Sequence, residues 1–308
     1  LPHGSDALVP AELIRLRPEV RAALEARRPV VALETTLVSH GFPHGEGAEV
    51  GAEAERRVRM AWAVPATIGV IDGVIQVGLS EEQLGRFGDS PEARKVGPRD
   101  LAACAAQGAL GATTAGATLA VCRAVGIGFL GTGGLGGVHR GYASRLDISA
   151  DLGELARTEA LVVASGAKSL LDVEATAELL ETIGAPVLGW RTDTLPLFYH
   201  RDGGPPVSAR VQTVEEVATI AQFHWRLGRH SALLVARPPD ESLDVEPLIE
   251  EALAEAERRG VSGQEVTPYV LAYLHEASGG RTREVNKAIV VENAALAAEI
   301  AVAYSRLD

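Results

Sequence analysis

Three lysines are candidate reactive amines in this chain. Lys95, Lys168 and Lys287 are the only lysines among the 29 basic residues, and all the others are arginines. Arginine and lysine are interchangeable as solvated surface charge, but only lysine readily loses its proton to become a neutral amine. A lysine retained in an arginine-rich chain is therefore a candidate for chemistry, although chance retention of any single one stays open.

Lys168 has the most suggestive surroundings of the three. It lies between a strand predicted at 160–164 and a helix predicted at 169–183. The positive partial charge at a helix start disfavours an ammonium, and the neutral amine is the nucleophile of Schiff-base enzymes. The pattern predicts a catalytic amine at Lys168. Lys95 is a candidate for holding a phosphate or carbonyl, whereas Lys287 is expected in a surface pair on a helix.

Glu34 is the candidate acid. It follows an apolar strand predicted at 29–33, and ligand sites in open α/β sheets form beyond the carboxyl ends of strands. A carboxyl group in such partly apolar surroundings can have its pKa raised enough to act as a general acid. The alternatives are that Glu34 caps the next turn or pairs with an arginine.

The segment Gly131-Thr-Gly-Gly-Leu-Gly-Gly137 follows a strand predicted at 127–130 and contains G-x-G-x-x-G. A dinucleotide fingerprint should open a helix directly, with an acidic residue about 20 positions on. Here the glycines run into 138–141, which is predicted to be loop. Backbone that approaches a bound ligand fits better, with a plain turn as the alternative.

Asp147 and Asp151 are two carboxylates four residues apart. If they begin a helix, both face one side and could bind a hard divalent cation that keeps water ligands. The alternative is a helix cap in which Asp151 pairs with Glu154.

The elements that must position these side chains alternate between apolar strands and helical patterns. This indicates a three-layer α/β/α sandwich with a largely parallel central sheet. The sequence predicts further strands at 66–71, 74–77, 186–189 and 232–236, and helices at 47–63, from about 99, and at 115–125, 213–227, 245–259, 268–276 and 282–304. No linker divides the chain, so a single domain over 1–308 is expected, with 1–10 as a candidate disordered segment.

Composition argues against several classes of function. The net charge of −12 disfavours a nucleic-acid partner, because binding phosphates of a duplex needs a basic surface. No apolar run approaches the ~20 residues that cross a bilayer, and no secretion signal is visible. Cys104 and Cys122 are expected as buried free thiols, which favours a cytoplasmic enzyme acting on a small molecule.

Seven motifs in order resemble those of a known family. They are V-A-L-E-T-T-L-V-S-H-G-F-P, V-P-A-T-I-G-V-I-D-G, K-V-G-P-R-D-L, G-A-T-T, T-G-G-L-G-G-V-H-R-G, D-I-S-A-D-L and S-G-A-K-S-L-L-D. Together they resemble the pseudouridine-5′-phosphate glycosidases from about Pro29 to the end of the chain. Each motif is modest alone, but the order and spacing of the set are specific.

The resemblance implies a lyase-like glycosidase of pseudouridine catabolism. Such an enzyme reversibly cleaves the C–C glycosidic bond of pseudouridine 5′-phosphate to uracil and ribose 5-phosphate, as a homotrimer with an α/β/α core and Mn²⁺. The resemblance implies that Lys168 forms an imine with C1′ of the opened ribose, that Glu34 donates a proton, and that Asp147 binds the metal. The positions implied around the ligand are Lys95, Ala115, Thr132, His139, Ser149, Ala150, Asp151 and Asn286.

Three positions depart from the family pattern. Gly97-Pro98 replaces Ser-Arg, Arg237-Pro238 replaces Asn-Pro, and Glu292-Asn293 replaces a pair of asparagines. The first and third could alter phosphate affinity or subunit contacts. The residues alone also leave two other functions open, a Schiff-base aldolase acting on another sugar phosphate and a nucleotide-binding protein without catalysis.

Overall fold

A computed structural model of the chain describes residues 12–43, 45–168, 170–261 and 266–307. The candidate disordered segment 1–10 lies outside these ranges. No helix within them is long and apolar enough to cross a membrane.

The described residues form short strands and mostly longer helices. The strands are β1 (Ile14–Leu16), β2 (Val30–Glu34), β3 (Val64–Ile71), β4 (Val74–Val77), β5 (Arg94–Val96), β6 (Gly111–Thr113), β7 (Phe129–Gly131), β8 (Val138–His139), β9 (Leu161–Ala164), β10 (Leu171–Asp172), β11 (Val187–Trp190), β12 (Ala209–Val211) and β13 (Leu233–Ala236). The helices are α1 (Pro18–Glu25), α2 (Thr36–His40), α3 (Glu46–Met60), α4 (Glu81–Asp89), α5 (Leu101–Ala106), α6 (Ala115–Val125), α7 (Tyr142–Arg145), α8 (Ala150–Leu155), α9 (Val173–Thr182), α10 (Val214–Arg226), α11 (Glu246–Arg258), α12 (Val266–Ala277) and α13 (Arg281–Tyr304), with a 3-10 turn at Pro98–Asp100.

One sheet of eleven strands carries the fold, with β1-β4-β3-β2-β7-β9-β13-β11-β12 along its main path and β6 and β5 attached through β3. Eight of its ten pairings are parallel, and β3 is antiparallel to β4 and β6. The predicted strands 66–71 and 74–77 form a hairpin through a two-residue turn, in which Asp72 and Gly73 both have positive φ (51° and 82°). The predicted largely parallel sheet is confirmed.

The strands bury both faces, which produces the three layers. Val31 and Leu33 of β2 pack toward α3, α10 and α13, whereas Val30 and Ala32 pack on the opposite face toward α1, α6 and α8. Successive side chains of a strand point to opposite faces, so an uninterrupted apolar run requires helices on both. The predicted α/β/α sandwich is confirmed.

A smaller core lies beside the sheet. Helices α11, α12 and the start of α13 pack around Phe198 and Tyr199, and the same cluster includes Ala167, Leu170 and Leu171. The segment that carries Lys168 is therefore held on both sides of the lysine by a hydrophobic cluster distinct from the two sheet faces.

Candidate active site

The candidate site lies where three neighbouring parallel strands end. β2, β7 and β9 are adjacent in the sheet, and their carboxyl ends lead into Glu34, Thr132 and Ser165. Because parallel strands end at one edge, side chains from segments far apart in sequence meet there.

Glu34 is buried at this edge, with 4% of its surface exposed. The Thr132 hydroxyl donates a hydrogen bond to its Oε1. Burial raises the pKa of Glu34 to about 7, against the opposing influence of the Lys168 cation and the Thr132 hydrogen bond. A carboxyl group that is half protonated near neutrality can both give and accept a proton. Within the described ranges Glu34 makes no ion pair with an arginine, and Thr35, not Glu34, occupies the N-cap of α2.

The glycine-rich segment extends the pairing of β7 with β9 toward the candidate site. Backbone N–H groups donate to carbonyl oxygens at about 3 Å along both segments, from Thr132 to Val163, Ser165 to Gly133, Leu135 to Gly166 and Lys168 to Leu135. The backbone next to the candidate acid and the backbone of the candidate nucleophile thus form one hydrogen-bonded ladder.

Two glycines of this segment are explained by close approach of the protein itself. A Cβ at Gly131 would lie 2.7 Å from the Cα of Ala294 in α13. A Cβ at Gly136 would lie 2.2 Å from the Ser149 hydroxyl oxygen. Neither is a dinucleotide fingerprint position, because no helix begins directly after the segment.

Asn293 was named above only within a family departure, yet it holds this edge together. Its Nδ2 donates to the carbonyl oxygens of Thr132 (2.8 Å) and Gly133 (3.3 Å) and to the Ser165 hydroxyl (3.3 Å). Asn286 lies seven residues earlier on α13, about two turns away, and is also buried. Two buried asparagines at this spacing in an apolar helix were a signal that both face one polar site.

Asn286 has an acceptor available for a ligand. Its Oδ1 is buried and has no hydrogen-bond partner among the described residues. A Cβ added to Gly133 would lie 3.7 Å from this oxygen, so the asparagine reaches the glycine-rich segment. Buried acceptors are costly unless a partner is supplied, which suits a substrate contact.

The position of Lys168 corrects one prediction. The helix expected from 169 begins only at Val173, where the Asp172 side chain accepts from the N–H of Ala175 at 3.0 Å. Before it the chain forms β10, which pairs with β8. The field of a helix end fades within about one turn, so the helix-start argument for a neutral amine at Lys168 is wrong.

The charge of Lys168 nevertheless acts on three other side chains of the candidate site. Its positive charge lowers the pKa of Glu34, of Lys95 and of His139. These three side chains come from different parts of the chain and share Lys168 as a neighbouring charge. The structure therefore brings together the predicted amine and the predicted acid.

Lys95 lies on β5 and is the second amine of the site. Burial, and after it the Lys168 charge, lower its pKa to about 8, while Asp151, Glu34 and Asp147 act in the opposite direction. Two close amines disfavour each other's protonation. A bound anion such as a phosphate would relieve that repulsion.

His40 is a second residue that the sequence did not single out. It ends α2 and has its pKa lowered first by burial and then by the nearby Lys95 charge, while the backbone of Ala93 acts in the opposite direction. Its Nε2 is buried and has no partner within the described part of the chain. The motif containing this histidine was recognised, but nothing in its spacing indicated that it would approach Lys95.

His139 and Asp147 form a more open part of the site. The Nδ1 of His139 lies 3.9 Å from an Oδ of Asp147, whose side chain is 42% exposed. Burial lowers the pKa of His139, and the Asp147 carboxylate opposes that shift. Between Asp147 and α8, the backbone at Ile148 pairs with Val138.

Asp151 has a structural role that differs from both predictions. Its Oδ1 accepts from the Gly116 N–H at 2.7 Å and its Oδ2 from the Gly136 N–H at 2.9 Å. It therefore ties the start of α6, next to Ala115, to the glycine-rich segment.

The predicted shared helix face of Asp147 and Asp151 is wrong, because α8 starts at Ala150 and Asp147 precedes it. The alternative Asp151–Glu154 cap is wrong as well. The Ser149 hydroxyl accepts from the Asp151 N–H at 3.2 Å instead. The Glu154 carboxylate instead lies 3.6 Å from Nη2 of Arg123 and 3.3 Å from Nε of Arg157.

The predicted cation site has a single exposed carboxylate. No group of three or more His, Cys, Asp and Glu side chains converges within the described residues. Asp147 could hold a hard divalent cation that keeps most of its water ligands, as Mg²⁺-like ions commonly do. The donor set fits such a hydrated ion and does not fit an ion enclosed by protein ligands.

Lys287 lies outside the candidate site. Its Nζ lies 3.0 Å from Glu46 and 3.2 Å from Glu284. The predicted surface pair is confirmed.

The residues at the three family departures make local contacts. Asp100 accepts from the Gly97 N–H at 3.3 Å, Arg237 pairs with Asp240 at 2.9 Å, and Glu292 pairs with Arg57 at 2.8 Å.

Comparison with known proteins gives full-length matches. Residues 19–303 match the family described as indigoidine synthase A like protein. A protein of Caldanaerobacter subterraneus named pseudouridine-5′-phosphate glycosidase is 45% identical over 96% of this chain and 97% of its own length. A protein of the same name from Symbiobacterium thermophilum is 47% identical over 94% of this chain and 97% of its own length.

A solved structure has the same architecture. The crystal structure of a prealnumycin C-glycosynthase in complex with ribulose 5-phosphate superposes with a TM-score of 0.87 at 39% identity. The match covers 95% of this chain and 97% of that one.

Proposed function

Since the chain belongs to the indigoidine synthase A like family, we propose that it cleaves pseudouridine 5′-phosphate to uracil and ribose 5-phosphate. Its relatives named pseudouridine-5′-phosphate glycosidase match it over nearly their whole length. The observation that carries the proposal is that Glu34, a buried carboxyl group whose pKa is raised to about 7, bonds to Thr132 on a segment hydrogen-bonded to the one that carries Lys168. These are the acid and the amine that cleavage of a C–C glycosidic bond requires.

The chemistry explains why both groups are needed. A C-glycoside has no oxygen or nitrogen leaving atom, so the usual two-carboxylate hydrolysis does not apply. Once the Lys168 nitrogen is bonded to C1′, its lone pair can form the C1′=N bond of an imine as the C1′–C5 bond breaks. The uracil carbon leaves with the electron pair of that bond and takes up a proton.

The proposed steps balance as follows. The C1′–O4′ bond of ribose breaks as the neutral Lys168 amine bonds to C1′, and one proton of the resulting ammonium passes to O4′. Glu34 gives a proton to C5 of the uracil ring as the C1′–C5 bond breaks, which leaves uracil and an imine. Water adds to the imine carbon, the C–N bond breaks, and ribose 5-phosphate leaves with the Lys168 amine restored.

The remaining side chains are proposed to bind and orient the substrate. Lys95 would bind the phosphate, because an anion beside two amines offsets their repulsion. The related C-glycosynthase structure is a complex with ribulose 5-phosphate, which supports a phosphosugar as the class of ligand. The other proposed contacts are Ala115, Thr132, His139, Ser149, Ala150 and Asn286. Asp151 is also proposed to lie beside the substrate. Both of its carboxylate oxygens accept from the backbone N–H groups of Gly116 and Gly136, so those two groups stand between it and the ligand.

Asp147 is the proposed holder of Mn²⁺. When bound, a divalent cation supplies positive charge and oriented water ligands beside the substrate. A homotrimer in the cytoplasm is the proposed working form; the buried free thiols of Cys104 and Cys122 suit a reducing compartment. Analytical ultracentrifugation tests the trimer, and a monomer at assay concentration would overturn that part.

The deciding experiment is uracil release from pseudouridine 5′-phosphate, with and without Mn²⁺. Uracil plus ribose 5-phosphate should run the reaction backwards. Borohydride treatment during turnover should attach the pentose phosphate covalently to Lys168, as found by peptide mass spectrometry. An adduct without uracil release would favour an aldolase acting on another sugar phosphate. Absence of any adduct would favour a binding protein without catalysis.

A further inference from the structure

We infer that the hydroxyl groups of Thr35 and Thr113 position two parts of the candidate site relative to each other. They set the spacing between the proposed acid, Glu34, and the proposed phosphate-binding lysine, Lys95. The inference rests on the proposed function, in which the phosphate anchors the substrate while the acid protonates the uracil carbon. Neither threonine is among the catalytic or ligand-binding residues named above.

The sheet branches next to Glu34. One edge of β3 pairs with β4, and the other edge pairs first with β2, as far as Glu34 opposite Ile68. The same edge then continues with β6, from Ala112 opposite Gly69. Lys95 lies on β5, on the far side of β6 and opposite Ala112. The spacing between acid and lysine therefore depends on how the two branches are held at Ile68.

Two threonine hydroxyl groups join the branches. Within the described residues no backbone ladder connects β2 to β6. The Thr35 hydroxyl donates to the carbonyl oxygen of Ile68 at 2.8 Å and accepts from the N–H of Thr113 at 2.9 Å. The Thr113 hydroxyl donates to the same carbonyl oxygen at 2.7 Å. A carbonyl oxygen has two lone pairs, so both branches are fastened to one oxygen atom of β3.

Two further threonines extend this connection. The Thr36 hydroxyl donates at 3.1 Å to the carbonyl oxygen of Ala112, the residue opposite Lys95. The hydroxyl of Thr118, on α6, donates to that of Thr113 at 3.1 Å. All four threonines are buried, with at most 7% of their surface exposed. Loss of one of these hydroxyl groups would therefore leave buried polar groups without a partner, which is costly.

The spacing matters because the proposed substrate is held at one end and reacts at the other. Its phosphate binds at Lys95, and the bond that breaks must lie within reach of Glu34. A misplacement of about 1 Å in such an arrangement can lower the rate on the order of 10²-fold. Valine has nearly the shape of threonine but neither donates nor accepts. The T35V substitution would therefore free the two branches while it keeps the packing.

The first test measures kcat and KM for uracil release, together with the Kd of ribose 5-phosphate. In T35V the kcat should fall about 10- to 10²-fold, whereas KM and the Kd should change less than about threefold, because Lys95 can still bind the phosphate. T35S keeps the hydroxyl group and should restore the wild-type kcat. A wild-type kcat in folded T35V would overturn the inference.

Two further variants separate positioning from general loosening. T36V removes a single hydrogen bond of the same set, so it tests the inference by the same fall in kcat at steady KM if T35V does not fold. Thr192 is a matched control after β11: it is also buried, donates to the carbonyl of Thr194 at 3.1 Å and accepts from its N–H at 3.3 Å. T192V should keep the wild-type kcat. A fall in T192V equal to that in T35V would overturn the inference.

The second test does not depend on turnover. Crystal structures of the full chain as wild type, T35V and T35S give the separation between the Cα atoms of Glu34 and Lys95. This separation should differ from the wild type by more than the coordinate error in T35V and should be unchanged in T35S. An unchanged separation in T35V would overturn the inference. A wild-type protein that releases no uracil would overturn the proposed function, and the crystal structures would still decide whether the threonines set the spacing.

Discussion

The candidate site has two sides that differ in their access to water. On the dry side, Glu34, Thr132 and Asn286 are at most 4% exposed. Thr132 belongs to the glycine-rich segment and bonds to Glu34, and Asn286 belongs to α13. On the open side, the Asp147 side chain is 42% exposed and that of His139 is 20% exposed. The same sheet edge therefore offers two environments to one ligand.

The difference separates two kinds of chemistry. Burial raises the pKa of Glu34 to about 7, and this makes proton transfer efficient near neutral pH. An exposed carboxylate suits a cation that must keep its waters. We infer that proton transfer belongs to the dry side, and that ion binding belongs to the open side.

The largest expected effect comes from Lys168, which acts on both sides through its charge. K168R keeps the positive charge but removes the nucleophilic amine, so kcat for uracil release should fall on the order of 10³-fold or more. The borohydride adduct should disappear as well. Retention of wild-type turnover in a folded K168R protein would refute the imine.

The E34Q substitution removes the proposed proton donor of the dry side and leaves the open side unchanged. Gln keeps the size and a hydrogen-bond acceptor but cannot donate the proton, so kcat should fall roughly 10²- to 10³-fold with a smaller change in KM. In the wild type the donor is the protonated form, so the rate of the acid-dependent step should fall as pH rises through about 7. An unchanged rate in E34Q would assign the acid to another residue.

The free energy of unfolding should also report the burial of Glu34 on the dry side, through its dependence on pH. The pKa of folded Glu34 is raised from 4.5 to about 7, so its favourable contribution is complete below 4.5 and is lost as pH rises through 7. The E34Q side chain does not ionise. Between low and high pH its free energy of unfolding should therefore rise relative to that of the wild type by up to roughly 3 kcal/mol. Urea unfolding at about pH 5 and about pH 8 measures the difference, and equal shifts for both proteins would contradict the burial of an ionisable group.

D147N tests the open side. A weaker cation ligand should reduce activity roughly tenfold at limiting Mn²⁺ and less at saturating Mn²⁺. Chelation should inhibit the wild type, with Mn²⁺ restoring its activity. Indifference to chelator would leave Asp147 with a role in structure only.

N293A weakens the support behind the dry side without touching an ionisable group. Loss of three hydrogen bonds to the Thr132–Ser165 edge should cost about 1–3 kcal/mol in unfolding free energy. K287Q is the matched control on the same helix, because its exposed ion pair should contribute at most about 1 kcal/mol. Equal losses in the two variants would contradict the role assigned to Asn293.

Local patterns in the sequence predicted the scaffold well. The strand 160–164 and the helix 115–125 agree with β9 and α6 because each is a continuous apolar or amphipathic run. The region between β9 and α9 was predicted poorly, because β10 is only two residues long and depends on β8, more than thirty residues away. Pairing over such a distance leaves little trace in local periodicity.

For the candidate site, the sequence indicated which side chains to consider better than it indicated the contacts that hold them in place. Lysine scarcity identified Lys168, and strand-end position identified Glu34, although the helix-start argument for the lysine was wrong. The helix face shared with Asp147 and the cap with Glu154 were wrong for Asp151, because its partners, Gly116 and Gly136, are contacted through backbone N–H groups. Backbone donors have no sequence signature.

The ladder between the glycine-rich segment and 163–168 has a consequence for how catalysis is timed. Because Thr132 and Lys168 belong to hydrogen-bonded neighbouring segments, the backbone beside the proposed acid and the backbone that carries the proposed amine are held in one register. In the proposed reaction the amine holds C1′ while the acid protonates the uracil carbon bonded to it, so the two groups must act on adjacent atoms at the same moment. The ladder would then serve as a fixed frame for two side chains that reach one bond of the substrate together.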